Sequence, residues 1–414
     1  MEAAGGREER EKSLERRIRA FHWVRLLSEL PARCAGGEGE REAATRVEAW
    51  MREIGFAEVA PGLVASRPER GGVVALHAGL AALACAIGGY SGFAVAALSA
   101  LSLRRERTRA APLLSRWLPA PDATQVRARA GSTRPRRRIV LSAPLDAPRA
   151  GLLFASPWRR RWLGPAAASR VTAPAGLDAW LLRLLAAAAV VTAASAVGGG
   201  STALWLARVV VALLAAGVAL AGLEWARAPA CPGACSSASG VAAMLTCAEQ
   251  LLAQLRDDEE LWLVATGAQE TGAGGLADSL DTRAGPAARD TLVVHFERLG
   301  SDALARVAAE VGLERCVHPP RLAELARRLA ESGAFGEIGA VDWIGATGVA
   351  ALAARGLPVL ALVSTDPDGL PRNDHRPIDP PENVDIACVV RAADFAAAVV
   401  EASRRGEGDA LAII

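Results

Sequence analysis

Lysine is all but missing from this 414-residue chain, Lys12 being the only one among 47 basic side chains. Chemistry run through a lysine Schiff base is thereby set aside. Aromatic residues are also scarce, at 4% against 51% hydrophobic, so the apolar excess is alanine, leucine and valine. Together with a mean hydropathy of +0.21, that mixture suggests membrane helices beside a globular domain. Neither sign of charge dominates, since 47 basic residues face 45 acidic ones for a formal charge of +2. The arginine clusters at 104–109, 136–138 and 159–161 come without interleaved aromatics or a domain-wide basic balance, which argues against a nucleic-acid partner. Cysteines are seven, an odd number without repeated spacing, and Cys85 lies inside an apolar run, so no disulfide framework is expected. No apolar stretch follows the charged run Arg7 to Lys12, and a secretory signal peptide is not expected there.

What the chain does have is two long uncharged regions. The first runs from Gly72 to Leu103 with a break at residues 88–92. The second comprises two arms, Trp180 to Val197 and Thr202 to Gly222, joined at residues 198–201 and interrupted only by Arg183 and Arg208. Each arm of the second region approaches the ~20 residues that cross a hydrocarbon core of ~30 Å. This is a transmembrane hairpin. A single span in the first region strands the N-terminal helices across the membrane from the rest, so it reads as a hairpin too, full or re-entrant. Arg208, inside an apolar arm, is expected to snorkel to the headgroups.

Outside these regions the pattern alternates. Helical periodicity over Ser13–Leu30 and Glu38–Ile54 precedes a strand near Ala57–Ser66. Strands are expected at Arg138–Ser142, Glu260–Ala265, Thr291–Phe296 and Pro358–Val363, with helices at Ser239–Leu255, Arg321–Glu331 and Val384–Arg404. Such alternation implies an α/β fold, a sheet flanked by helices. The chain then divides into a globular part made of 1–70, 104–177 and 224–414, with membrane hairpins inserted at 71–103 and 178–223.

Five short blocks fall at strand-to-helix junctions. They are Ser142-Ala143-Pro144-Leu145-Asp146, then Gly233-Ala234-Cys235-Ser236-Ser237-Ala238-Ser239-Gly240, then Gly267-Ala268-Gln269-Glu270, then His295-Phe296-Glu297-Arg298-Leu299-Gly300, and Asp374-His375. In this order they resemble metallopeptidase family twenty-eight, the di-zinc aminopeptidases, whose relatives include glutaminyl cyclase and the transferrin receptor. The resemblance extends over nearly all the non-membrane sequence, including the opening Leu30 to Arg33. It implies a zinc-exopeptidase-like mixed sheet.

The same resemblance implies a damaged site. The family's His-x-Asp block supplies a zinc ligand and the carboxylate that orients it; here Pro144 replaces the histidine and Asp146 remains. Ser236 stands where an aspartate bridges both metals. Gln269 stands where the general base is expected, and an amide cannot take the proton of a metal-bound water. Of the other ligand positions, Glu270 and His375 are kept and Glu297 is one methylene longer than aspartate. The expectation is a membrane-anchored pseudopeptidase, a binding or scaffold module with no cofactor. The alternative is a membrane-tethered zinc aminopeptidase in which Glu270, His375 and Glu297 hold one weakly bound zinc.

Each residue also has a plainer reading. Glu270 and His375 are expected to hydrogen-bond each other or nearby amides. Cys235 reads as an inert turn residue rather than a nucleophile, and His295 and His318 as ordinary core or surface histidines. Trp158, Arg159, Arg160, Arg161 and Trp162 combine indoles with cations as the headgroup layer favours. Arginines 67, 70, 104, 105, 107 and 109 flank the first hairpin and 159, 160, 161 and 227 the second, while both turns are uncharged. By the positive-inside rule the globular part is cytoplasmic. The expected partners are the lipid bilayer and a protein or peptide ligand.

Overall fold

The computed structural model describes residues 2–107, 113–154, 176–198, 200–272, 275–280 and 291–405. Among them the strands are β1 (Glu58–Val64), β2 (Ala123–Gly131), β3 (Arg137–Pro144), β4 (Glu259–Thr266), β5 (Thr291–Phe296), β6 (Ala303–Val311), β7 (Arg315–Val317), β8 (Gly339–Ile344) and β9 (Val359–Thr365). They join in the order β1-β2-β4-β3-β5-β9-β6-β7, with β8 also paired to β6. β4, β3, β5 and β9 run parallel, while β1, β2 and β6 pair antiparallel at the flanks.

Parallel strands covered on both faces read as continuous apolar runs, and β4 is buried at every position. Its Leu261, Leu263 and Ala265 enter one core, and Trp262 and Val264 enter the other. The first core is closed by α1 (Glu2–Ser28), α2 (Glu38–Ile54), α7 (Ser239–Leu252), α9 (Pro320–Glu331) and α11 (Ile386–Arg404), and the short helices α8 (Gly275–Ser279) and α10 (Ala350–Ala353) pack into the second. The mixed α/β architecture expected from the sequence is the one observed. Four strands are left unassigned by the sequence pattern: β2 and β6 carry alanine and arginine where a strand signal needs β-branched or aromatic residues, and β7 and β8 are only three and six residues long.

Between β1 and β2, and again between β3 and α7, the chain leaves the sheet to form helical hairpins. The first is α3 (Arg70–Ile87) and α4 (Gly89–Arg107), the second α5 (Gly176–Val197) and α6 (Thr202–Arg227). Among the described residues, α3, α5 and α6 are long and apolar enough to cross a membrane. α4 falls short because its last turn carries Arg104, Arg105, Glu106 and Arg107. The four helices share a separate apolar core, and α6 turns Trp205, Leu206, Val210, Leu213 and Leu220 outward.

α3 and α6 approach through small residues. A Cβ on Gly71 would lie 2.5 Å from the Ala226 nitrogen, and one on Gly222 would lie 2.7 Å from the Ala75 nitrogen. Gly71/Ala75 and Gly222/Ala226 are thus paired small-xxx-small motifs, which let helix backbones meet closely. At the other end Arg208 reaches the last turn of α3. Its guanidinium donates to the Cys85 and Ala86 carbonyls, capping the C-terminus of α3, where a cation complements the helix dipole.

Candidate functional site

In open sheets of this kind ligand sites form beyond the carboxyl ends of the parallel strands, and the residues singled out from the sequence converge there. Pro144 ends β3, Gln269 and Glu270 follow β4, Glu297 follows β5, His375 lies in the loop after β9, and Ser236 heads α7. The backbone is strained at this edge. Among the described residues, Ala268, Arg298, Asn373 and His375 are the non-glycine residues with positive φ, at 52–58°, a conformation that costs on the order of 1 kcal/mol or more each.

Two buried carboxylates hold the turn after β4. Glu40 of α2 accepts from the Gly36, Thr124 and Ala268 amides at 2.9, 2.8 and 3.3 Å. Asp146 accepts from the Gln269 and Glu270 amides at 3.1 and 2.8 Å. Burial, with the charges of Glu270 and Glu40 beside it, raises the Asp146 pKa well above the ordinary carboxylate range, while those two amides pull it down.

The centre of the site is a cation that the sequence reading passed over. Arg298 donates through Nε to Asp374 at 2.9 Å, through Nη1 to Glu297 at 2.8 Å and through Nη2 to Glu270 at 3.3 Å. Its planar guanidinium offers donors along three directions, and each meets a different carboxylate. Burial disfavours the arginine charge, but Asp374, Glu297 and Glu270 more than offset that and raise its pKa further. Burial also raises Glu297, yet Arg298 and His295 together hold it below its usual value. Burial prevails at Glu270, whose pKa is pushed up to about 7 with Arg298 partly offsetting.

Glu270 and His375 do not bond to each other as expected. The His375 Nε2 lies 3.8 Å from the Glu270 carboxylate, beyond hydrogen-bond distance. His375 Nδ1 instead donates to the Arg149 carbonyl at 2.8 Å. Its imidazole is stacked on Phe154, with Trp225 of α6 edge-on, and burial lowers its pKa to about 4. Arg149 links this corner to the helical bundle by pairing with Glu69 at 2.6 Å and donating to the Ala228 carbonyl at 2.8 Å.

His295 is a core residue as expected, but its partners belong to the site. It donates from Nε2 to Glu297 at 3.2 Å and accepts from Ser142 at Nδ1, 2.8 Å away. The Gln269 carboxamide also donates to Glu297, while its oxygen and the Ser236 hydroxyl are buried without partners. Cys235 is buried, and its amide donates to Asp379 at 3.0 Å; burial drives its thiol pKa far up, consistent with an inert turn residue. Trp158, Arg159, Arg160, Arg161 and Trp162 lie outside the described residues.

The donor set does not fit a pair of zinc ions. Pro144 has no donor atom, Ser236 offers a neutral hydroxyl, and the remaining carboxylates face Arg298. A divalent ion about 4 Å from a guanidinium meets roughly 8 kcal/mol of repulsion at an effective dielectric near 20. Among the described residues no group of three or more His, Cys, Asp or Glu side chains is arranged to hold a metal. Arg298 was visible in the sequence as a lone cation two residues past a buried strand and beside a candidate ligand.

The mixed sheet flanked by helices is similar to zinc-exopeptidase folds. Neither a protein-family model nor a curated protein sequence matches the chain. Solved structures match its fold. The zinc aminopeptidase BSAP of Bacillus subtilis aligns with a TM-score of 0.53 at 12% identity, over 94% of this chain and 95% of that one. LapA of Legionella pneumophila aligns at 0.52 and 10%, over 95% and 76%, and a glutaminyl cyclase of Fimbriiglobus ruber at 0.50 and 12%, over 93% and 94%. At such identities the likeness is one of fold.

Proposed function

We propose that this chain is a membrane-anchored module of the aminopeptidase fold that binds a protein or peptide ligand and does not hydrolyse it. The observation that carries this reading is Gln269. It stands where the resemblance asks for a general base, and its carboxamide donates to Glu297 with no titratable oxygen to receive a proton. Pro144 and Ser236 remove a terminal ligand and the bridge independently of that loss. Purified chain supplied with zinc is expected to release no product from aminoacyl nitroanilides or N-terminal glutaminyl peptides, and to carry less than one zinc. Tightly bound zinc accompanied by chelator-sensitive turnover sinks the proposal.

One observation favours the runner-up, a zinc aminopeptidase with an atypical site. His375 donates through Nδ1 to a backbone carbonyl, the tautomer that metal-ligating histidines adopt. The same assay decides between them.

The bilayer is the other proposed partner, with the globular part on the cytoplasmic side. Arg70, Arg104, Arg105 and Arg227 lie at the bundle end that joins the sheet, and the opposite turns carry no charge. In intact cells an impermeant thiol reagent is expected to label Ser201→Cys and to leave Cys316 untouched. The opposite labelling pattern reverses the assignment.

A further inference from the structure

We infer that Arg298 is a built-in replacement for a metal cation, so that removing its guanidinium turns the carboxylate cluster into a divalent-cation site. The inference rests on the non-catalytic reading above and deepens it, because it explains how the pocket folds without metal. Glu270, Glu297 and Asp374 come from three different strand ends, and each pairs with a different nitrogen of one side chain. Both Asp374 and Glu297 are sealed from solvent. Three carboxylates in so dry a place need a countercharge, because leaving a buried ion uncompensated is strongly destabilising. A metal ion meets that need in a metalloprotein; here the chain supplies the cation itself. The positive φ of Arg298 aims the side chain back over the strand ends.

The electrostatics also explain why cation and metal exclude each other. A guanidinium among these oxygens occupies their lone pairs and repels any second cation. As placed, each carboxylate faces its own guanidinium nitrogen and the group is not arranged to share a metal. Without the guanidinium these oxygens are expected to draw inward and, with the His375 Nε2, to serve as carboxylate and imidazole donors of the kind that bind zinc.

The test compares the full chain with Arg298→Met and Arg298→Lys, each purified with zinc sulfate and again with chelator. Zinc content is read by elemental analysis and melting temperature by intrinsic tryptophan fluorescence. Arg298→Met is expected to hold at least about tenfold more zinc than the parent, near one per chain, and to melt higher with zinc than without. Arg298→Lys, which keeps a cation, is expected to stay metal-free. If Arg298→Met folds only when zinc is present, the inference is supported equally. If it folds and takes up no zinc, the inference is overturned. Should it fold under neither condition, the triple variant Arg298→Met, Glu297→Gln, Asp374→Asn decides the reason. A folded triple variant shows charge compensation by a cluster unable to hold metal, and an unfolded one shows a packing role; both overturn the inference. Zinc bound by the parent chain is a separate outcome, since it defeats the non-catalytic reading whatever Arg298→Met does.

Discussion

The Phe154 ring lies on the His375 imidazole, with centroids 3.9 Å apart and planes 14° from parallel. Trp225 meets the same phenyl ring edge-on at 4.8 Å, so a residue at the end of a bundle helix helps to roof the candidate site. Phe154→Ala removes that roof. The substitution is expected to cost about 3 kcal/mol, as buried phenylalanine truncations do, and to make His375 open to acylation by diethyl pyrocarbonate. Exposed His22 serves as the internal standard in a mass-spectrometric rate comparison. An unchanged His375 rate in a folded variant refutes the shielding.

Glu40→Ala leaves three amides, those of half-buried Gly36 and Thr124 and buried Ala268, without their common acceptor. The expected loss is on the order of 3 kcal/mol or more, read from denaturant unfolding in detergent. Glu40→Gln, which keeps one acceptor oxygen, is expected to lose less. Equal losses from both variants contradict the role assigned to the carboxylate.

Asp379 supplies a pH dependence. Burial lifts its pKa from 3.8 to about 6, against the bonds from Cys235 that lower it. Between those values the folded chain holds a proton that the unfolded chain has released. Stability from this group is therefore full below about pH 4 and lost as pH rises through about 6, by roughly 3 kcal/mol in all. Asp379→Asn is expected to flatten that decline relative to the parent in melting curves taken from pH 4 to 7. Parallel curves count against it.

Two glycines of α6 are expected to respond oppositely to alanine. At Gly222 the new methyl collides with the backbone of α3, whereas at Gly217 nothing lies within 4 Å. Gly222→Ala should loosen the bundle and lower the melting temperature. Gly217→Ala should leave it unchanged or raise it slightly, because alanine favours helix by up to ~1 kcal/mol. Similar effects at both positions exclude the close crossing.

The sequence was most readable where a single physical signal dominates. Apolar strands such as β5, found at Thr291–Phe296 as expected, and uncharged helices broken by paired glycines belong to that class. The closing helix begins at Ile386 rather than Val384 because Asp385 caps it, accepting from the Ala387 and Cys388 amides. Site positions were legible through the family resemblance of five short blocks at strand-to-helix junctions. Their partners were not. The pairing of Arg298 with Asp374 joins residues 76 apart in the chain, and no local pattern reports which carboxylate a cation will meet. His295 looks like any buried histidine until Glu297, two residues on, is seen to turn back on it.

The crossing of α3 with α6 bears on the order in which the molecule can be assembled. Both hairpins are complete units of chain, but the small-residue contact joins the first helix of one to the second helix of the other. Ribosomal synthesis delivers α3 long before α6, with β2 and β3 emerging in between. β3 in turn waits for β4 and β5, its neighbours on either side, which are made later still. The early hairpin must therefore persist without its closest helical neighbour while a sheet-forming segment is held unpaired beside it. Bundle closure and sheet completion both await the second half of the chain, so a nascent chain truncated before α6 holds Gly71 with no groove to enter.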